Sequence, residues 1–324
     1  MSATTTPPDQ ALVLEGPLVA HAPASLWRDT VRHVLRQRSA VAGLVLLGII
    51  ILAAVLADVL TPYDPTDQLF GVAGAQRLAP PCIHLLGCPE SQAQWVMGLD
   101  QNNRDVFSRV LHGARVSLQV GVVTVSFAIV VGTLIGAVAG YLGGWVDNLL
   151  MRLMDVLLAF PALVLAIFLA VTFSSLDLPL FGDPLFNAML AIGIVSIPVY
   201  ARVMRASVLS IRERDFVTAS RALGESAGGI LFRRVLPNAL TPLIVQGTLG
   251  IATAVLEVAA LSFLGIGAQE PTAEWGAMIG QVRNLMFQAP HLVLFPGAAL
   301  ALSVLGFNLL GDGLRDALDP RLNR

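Results

Sequence analysis

The sequence VSLQVGVVTVSFAIVVGTLIGAVAG, residues 116–140, lies in a long stretch without charged residues between Arg115 and Asp147. The hydrocarbon core of a bilayer is about 30 Å thick, and a helix of about 20 apolar residues crosses it. The stretch is apolar throughout and does not alternate with polar residues, which argues against a strand of a membrane β-barrel. It therefore predicts a transmembrane helix in an all-α integral membrane protein.

Five more apolar runs occur in the chain, so the sequence predicts six transmembrane helices. Only 13% of the 324 residues are charged, whereas about 25% is typical of a soluble domain. We predict the first membrane segment at 40–60 and the membrane core at 116–310. The further runs are 40–57, 149–173, 186–200, 240–264 and 291–310.

The chain contains no lysine, and all 20 of its basic residues are arginines. A Walker A loop needs a lysine that reaches the β- and γ-phosphates of ATP. We therefore predict that ATP and Mg, if used, are bound by partner subunits. We also predict no catalytic, cofactor-binding or metal-binding residue in this chain. The net charge of −2 gives no indication of nucleic-acid binding.

Arginine is concentrated in three parts of the chain, and the cytoplasmic segments of membrane proteins carry an excess of basic residues. These parts are the amino-terminal region, the segment 202–238 and the tail 311–324. We predict that both termini are cytoplasmic. The first loop, 61–115, is predicted outside, because its four arginines are interspersed with acidic residues.

The region before the first apolar run divides into two parts. Residues 1–24 are rich in Thr, Pro and Ala and are predicted to be a disordered cytoplasmic tail. Ser25 is a suitable N-cap for an amphipathic helix over 25–39, which we predict at the membrane interface. A cleavable signal peptide is the alternative, but about 39 residues precede the apolar run, which is long for such a segment.

Cys82 and Cys88 are the two cysteines of the chain, and both lie in the first loop. In an oxidising compartment, a disulfide that closes a short ring is the favoured interpretation. Two free thiols, or a metal site that includes His84, are the alternatives. Two cysteines and one histidine are too few ligands for a closed zinc site.

The segment RERDFVTASRALGESAGGILFRRVLPN, residues 212–238, is too rich in apolar residues for a polar connector. It predicts a helix over 215–223, a stop at Gly224 and a second helix over 225–236 that is perturbed at Pro237. A solvated basic loop is the simpler alternative, but the apolar residues favour a helix-turn-helix that docks onto a partner.

This segment resembles the coupling-loop signature of the membrane subunits of binding-protein-dependent ABC importers. That signature reads E-A-A, three residues, Gly, nine residues, Ile, one residue, Leu-Pro. Four positions match, and Thr218, Ser220 and Arg234 stand where Glu, Ala and Ile are usual. The matching residues are Ala219, Gly224, Leu236 and Pro237.

Four other segments resemble the dipeptide/oligopeptide branch of these importers, its C-type permease. They are RDVFSRVLHGARVSLQVG (104–121), GGWVDNLLMRLMDVLLAFPALVLAI (143–167), LSFLGIGAQEPTAEWGAMI (261–279) and FNLLGDGLRDALDPRL (307–322). The resemblance implies a type I ABC importer permease fold in a bacterial inner membrane. It also implies a heterodimer with a homologous permease subunit, two cytoplasmic ABC ATPases, an extracytoplasmic solute-binding protein and a peptide substrate.

The resemblance further implies that the coupling loop, 202–238, seats on the ATPase. Arg212, Arg214 and Arg221 would then pair with acids at the rim of the ATPase groove. The residues carried over to this role are Asp215, Thr218, Ala219, Arg221, Ala222, Leu223, Gly224, Leu236 and Pro237.

Charges inside the predicted spans are costly, about 2.5–3.5 kcal/mol each at a helix centre. Arg152 and Asp155 are three residues apart and are predicted to pair with each other. Glu257 is deeper, and it either lines a pathway, bonds a partner subunit or makes a local hydrogen bond. Pro161 and Pro198 are interpreted as packing bends, with hinges as the alternative.

The segment GAQEPTAEWGAMI, 267–279, is predicted to be a turn outside the membrane. Trp275 is interpreted as an anchor in the aromatic belt. In the alternative interpretation this turn faces the solute-binding protein, and Glu270 and Glu274 contact it.

Two other functions compete with an importer subunit. A self-sufficient secondary transporter needs an ion site at mid-membrane, and Glu257 is the only deep acid. An intramembrane enzyme needs a Ser/His or paired-Asp constellation at membrane depth, and the sequence offers none.

Overall fold

The computed structural model describes residues 34–176 and 181–318. The predicted disordered tail, most of the predicted interfacial helix and the last six residues of the chain lie outside these ranges. The described part is all-helical, with two isolated β-bridges and no strand. Its helices of eight residues or more are α1 (Arg38–Val55), α2 (Val106–Leu142), α3 (Gly144–Leu158), α4 (Ala162–Ser174), α5 (Pro184–Arg212), α6 (Asp215–Ala222), α7 (Thr241–Phe263), α8 (Trp275–Val282) and α9 (His291–Leu318).

Five of these helices, α1, α2, α5, α7 and α9, are long and apolar enough to cross a membrane. A sixth span exists only if α3 and α4 together count as one, and they meet at a bend of 93°. The prediction of a single helix over 149–173 is therefore wrong. Pro161 lies at the N-cap of α4, and a proline inside a helix removes a backbone hydrogen bond and clashes with the preceding turn.

Three of the long helices extend beyond their predicted ends. α2 begins at Val106 because the carboxylate of Asp105 accepts a hydrogen bond from the backbone N–H of Ser108 at 2.8 Å. With 37 residues it is about 56 Å long. The predicted loop 61–115 thus includes the first turns of α2, while α5 and α9 continue to Arg212 and Leu318.

The centre of the bundle is the contact between α2 and α5. Gly132, Gly136 and Gly140 recur at every fourth residue on one face of α2, and this spacing of small residues allows two helix backbones to approach closely. A Cβ atom on Gly132 or Gly140 would lie 2.9 Å from the carbonyl oxygen of Ile197 or Arg205 on α5. Side chains larger than glycine would therefore separate the two helices.

α2 also defines the two ends of the molecule. Near its amino-terminal end lie the first loop, α8 and the start of α9, since Val106 and Val110 pack against Met278 and Leu292. At its carboxyl-terminal end lies the end of α5, where Arg212 donates a hydrogen bond to the Gly140 carbonyl. We call these the loop end and the coupling end.

The first loop is ordered around a small apolar cluster of Leu69, Trp95 and Leu99. Cys82 exchanges two backbone hydrogen bonds of 2.8 Å with Trp95, and a disulfide joins Cys82 to Cys88 with their Cα atoms 5.4 Å apart. The ring nitrogens of His84 lie 2.8 Å from the Gln92 carbonyl oxygen and 2.9 Å from Gln94 Nε2. The disulfide and these hydrogen bonds leave the alternative metal site without ligands.

Candidate functional site

The segment between α5 and α7 forms a helix-turn-helix at the coupling end. α6 ends at Ala222, one residue earlier than predicted, and Gly224 follows with φ +80°. This left-handed conformation suits glycine and terminates a helix. No atom lies within 4 Å of a Cβ built on Gly224, so its backbone conformation rather than lack of space favours glycine there.

The second helix differs from its prediction. It begins at Ala227 instead of Glu225, because Ser226 caps it by accepting a hydrogen bond from the Gly229 N–H at 3.2 Å. Residues Ile230–Val235 are π-helical, and an α-helical turn, Leu236–Ala239, contains Pro237. The widened turn lies directly before the predicted perturbation at Pro237.

The predicted coupling loop, 202–238, is shorter in the structure because α5 continues to Arg212. We therefore define the coupling segment as residues 213–238. Arg202, Arg205 and Arg212 lie on α5 and hold the bundle together, whereas Arg214, Arg221 and Arg233 are exposed on the coupling segment.

The α5 arginines have defined partners. Arg205 binds both carboxylate oxygens of Asp147 on α3. Arg212 donates to the Gly140 carbonyl at 2.8 Å and to Glu213 at 3.0 Å. Two nitrogens of the Arg212 guanidinium are thus engaged within this chain and hold α5 to α2, and the pairing of Arg212 with a partner's acids stays a prediction.

The predicted pair between Arg152 and Asp155 is also wrong. Asp155 accepts a hydrogen bond of 2.5 Å from Arg202 on α5. Arg152 is exposed and makes no ion pair within the described ranges. The side chain of Asp155 is directed toward α5 rather than along its own helix.

The apolar residues of the coupling segment divide into two sets. Val217, Ile230 and Val235 are at most 1% exposed and belong to the main core, with Val208 and Ile211 of α5. Leu223 and Phe232 are 87% and 52% exposed. The buried set anchors the segment to the bundle, and the exposed set leaves an apolar surface beside exposed arginines.

The residues carried over from the resemblance lie mostly on this exposed surface. Six of them are exposed on α6 or directly after it, and Pro237 is exposed beside half-buried Leu236. The six are Asp215, Thr218, Ala219, Arg221, Ala222 and Leu223, and Gly224 follows them in the exposed turn.

Glu257 lies on α7 beside a cavity of about 180 Å³. The cavity is bounded by the bend between α3 and α4, by the middle of α5 and by α7. Glu257 is half-buried, and its carboxylate makes no hydrogen bond or ion pair to any described residue. Of the three interpretations of Glu257, the local hydrogen bond is therefore not found among the described residues.

The loop end contains a charged network that the sequence interpretation missed. Asp100 receives a hydrogen bond of 2.7 Å from Arg104 Nε, and Arg104 also donates to Glu270 at 2.9 Å. Arg109 is 1% exposed, lies 3.7 Å from Asp100 and donates to the Pro65 carbonyl at 3.1 Å. The sequence signal for this network was the group of acids and arginines around residue 104. It was used only to predict on which side of the membrane the first loop lies.

The interpretation of Trp275 as a membrane anchor is wrong. Trp275 is 1% exposed, and its indole N–H donates to the Val110 carbonyl at 3.0 Å. Glu274 is 2% exposed and caps α8, accepting from the N–H groups of Gly276 and Ala277 at 2.9 and 2.8 Å. In this conformation Glu274 is therefore not available to a binding protein, whereas Glu270 has 43% of its side chain exposed.

Burial shifts the pKa values of two capping carboxyl groups at the loop end. Loss of solvent raises the pKa of Glu274 above its ordinary value, against the opposing effect of its hydrogen bonds from Gly276 and Ala277. Burial likewise raises the pKa of Asp105, against its hydrogen bonds with Ser108. Desolvation is the larger effect in both cases.

Two known families match separate parts of the chain. The family described as "Binding-protein-dependent transport system inner membrane component" matches residues 132–324. The "N-terminal TM domain of oligopeptide transport permease C" matches residues 25–81.

Three relatives cover nearly the whole chain. The dipeptide transport system permease protein of Alkalihalophilus pseudofirmus is 43% identical, over 92% of this chain and 91% of its own length. The di/tripeptide transport system permease protein of Pseudomonas aeruginosa is 40% identical, over 97% and 95%. The glutathione transport system permease protein of Pectobacterium atrosepticum is 40% identical, over 91% of each.

The family match covers more than half of the chain. The relatives have at least 40% sequence identity to it over more than nine-tenths of their own length. The resemblance inferred from the coupling segment is thereby confirmed. The chain belongs to the family of binding-protein-dependent transport system inner membrane components and is a permease subunit of an ABC transport system.

Proposed function

We propose that this chain forms half of the translocation pathway of an ATP-driven importer for di- or oligopeptides. Its partners would be a homologous permease subunit, two cytoplasmic ABC ATPases that bind ATP and Mg, and an extracytoplasmic solute-binding protein. The observation that carries the proposal is the coupling segment, with a buried apolar side that anchors it and an exposed apolar side at one end of the bundle.

The contacts of the coupling segment support a mechanical role. Val217, Ile230 and Val235 fix it to the core that also contains α5. A push on the exposed Leu223 and Phe232 would therefore be transmitted to α5 and, through the Arg205–Asp147 pair, to α3. Rigid-body motion of packed helices of this kind is a common route between inward-open and outward-open states.

The positions of the described chain ends support the proposed topology of six spans with both termini cytoplasmic. Ala40 at the start of α1 packs against Gly313 near the end of α9. α9 begins at the loop end, where Leu292 belongs to the same apolar cluster as Val106, and with 28 residues it reaches the coupling end. The start of α1, the end of α9 and the arginine-rich coupling segment thus share one side, which by the positive-inside rule is the cytoplasm.

Cysteine labelling tests this topology. Leu223→Cys and Phe287→Cys, each in a Cys82→Ser/Cys88→Ser background, place exposed thiols at the coupling end and the loop end. In cells that express this chain without the ATPase subunits, a membrane-impermeant maleimide should label residue 287 in intact spheroplasts and residue 223 only after permeabilisation. The reverse pattern would contradict the orientation.

Uptake measurements test the function. Cells that express this chain with its partner subunits should accumulate a labelled dipeptide, and deletion of this chain should abolish that uptake. Accumulation should stop when ATP is depleted while the proton gradient is kept. Uptake that persists under those conditions would favour the alternative, a self-sufficient secondary transporter that uses Glu257.

A further inference from the structure

The cavity beside Glu257 has a polar wall on an otherwise apolar helix. Gln246, Gly250, Thr253 and Glu257 all line it. Their spacings of four, three and four residues place them on one face of α7, over about 16 Å of helix. Such a polar stripe at membrane depth costs free energy unless it faces water or a solute, because lipid cannot solvate it.

Tyr200, on α5, contributes a further polar group to the same cavity. Its side chain is 2% exposed, and its hydroxyl group forms no hydrogen bond to any residue in the described ranges. A Cβ on Gly250 would collide with that hydroxyl, so the glycine provides the space that the phenol occupies. A hydroxyl without a partner, which lines the same cavity as an unpaired carboxylate, indicates a site for a ligand outside this chain.

The hydrogen-bonding groups and the charge that line the cavity indicate which kind of ligand it would bind. Glu257 is the only charged residue in the cavity wall, so the missing partner is a cation. A metal ion such as Ca²⁺ takes six to eight oxygen ligands, more than one carboxylate and a few neutral groups provide. A primary ammonium group has three N–H donors, which match the Glu257 carboxylate, the Tyr200 hydroxyl and the hydroxyl oxygen of Thr253, all of which line this cavity.

The size of the cavity fits one end of a solute. Its volume of about 180 Å³ corresponds to about six water molecules at about 30 Å³ each. This space accommodates an amino-terminal residue rather than a whole peptide.

We propose that Glu257 and Tyr200 form a subsite in the translocation pathway that binds the primary ammonium group of the passing solute. The inference rests on the proposed importer function and adds a chemical preference to it. The bend at Pro161 forms part of the cavity wall through Phe160 and Ala162, so motion of α3 relative to α4 would open or close the subsite.

Uptake by cells that contain the complete transporter tests the subsite. Glu257→Gln keeps the shape of the side chain and removes its charge. We expect it to slow uptake of a labelled dipeptide with a free amino terminus by about tenfold, the factor expected for loss of one charge-assisted hydrogen bond. Tyr200→Phe should slow it less, by about threefold, and an N-acetylated dipeptide should compete poorly with the free dipeptide in the wild type.

Glu90→Gln is the matched control, since it removes the same charge from an exposed position in the first loop. It should transport like the wild type. Unchanged uptake by Glu257→Gln would overturn the subsite and leave the importer function intact. Loss of the partner permease from purified Glu257→Gln would also overturn it, because Glu257 would then be an interface charge. A wild type that imports only solutes without an amino group would overturn both proposals.

Discussion

Arg205 on α5 donates two hydrogen bonds to Asp147 on α3, from Nε to Oδ1 at 2.5 Å and from a terminal nitrogen to Oδ2 at 2.6 Å. This pair joins the helix that leads into the coupling segment to the helix that follows α2. Asp147 has 13% of its side chain exposed and Arg205 36%. The pair therefore fixes the position from which the coupling segment leaves the bundle.

A double-mutant cycle measures the strength of this pair. We expect a coupling free energy of about 1 kcal/mol between Asp147→Asn and Arg205→Gln, since two charge-assisted hydrogen bonds are partly screened by solvent. Thermal unfolding in detergent provides the measurement. The control cycle uses Asp155 and Arg202, whose side chains are 59% and 51% exposed, and should give at most about 0.3 kcal/mol. Equal values for the two cycles would contradict the assigned role of Arg205.

The φ of Gly224 leads to a second prediction. Gly224→Val forces a β-branched residue into a left-handed conformation that costs about 1–2 kcal/mol, and the turn after α6 should distort. We expect co-purification of the ATPase subunits to fall by at least tenfold while the protein remains in the membrane. Gly224→Asn is the control, because asparagine tolerates this conformation, and it should stay within twofold of the wild type. Normal ATPase binding and transport by the valine variant would refute the assignment of the coupling segment.

Leu223 tests whether the exposed apolar surface is the docking surface. Leu223→Asp places a charge on a side chain that is 87% exposed, so the fold should survive while association with the ATPases is lost. Phe287→Asp is the matched control at the loop end, where the side chain is 91% exposed, and it should retain the ATPases. Pull-down from solubilised membranes compares the two variants. Equal loss in both would mean that the effect is not specific to the coupling end.

The buried carboxyl group of Glu274 should make the stability of the protein depend on pH. Glu274→Ala removes the cap of α8 and should lower the free energy of unfolding by about 1–2 kcal/mol. The raised pKa of Glu274 means that the folded state favours the protonated carboxyl group. Its contribution is therefore fully present below the unfolded pKa, near 4.5, and decreases as the pH rises through the higher folded value. Unfolding midpoints from pH 4 to 8 should show this decrease in the wild type and less of it in Glu274→Gln. Identical pH profiles for the wild type and Glu274→Gln would contradict this prediction.

The cysteine pair provides a chemical test of the first loop. Cys82 and Cys88 should resist alkylation in membranes until a reductant is added, after which two labels per chain should appear by mass spectrometry. The disulfide closes a ring in the segment that contains the bridge between Cys82 and Trp95. Ready labelling without reductant would show that the thiols are free in the cell.

Local sequence features were sufficient to predict most of the helices. Continuous apolar runs predicted α1, α5, α7 and α9 to within a few residues at their starts, since burial in lipid requires length and hydrophobicity whatever the neighbours are. Gly224 predicted the end of α6, because a left-handed residue stops a helix in any context. The family resemblance of the coupling segment depended on the same local pattern.

The pairing of side chains depended on the tertiary structure. Arg202 and Asp155 are 47 residues apart, and the local rule for residues three apart favoured Arg152 with Asp155 instead. Trp275 became a core residue only because α2, which lies far from it in sequence, packs against it. Hydrophobicity and backbone conformation act within a few residues, so the sequence alone determined the class, five of the spans and the location of the coupling segment. The contacts of each charge, and the cavity beside Glu257, arise where helices distant in sequence meet, so only the tertiary structure decided them.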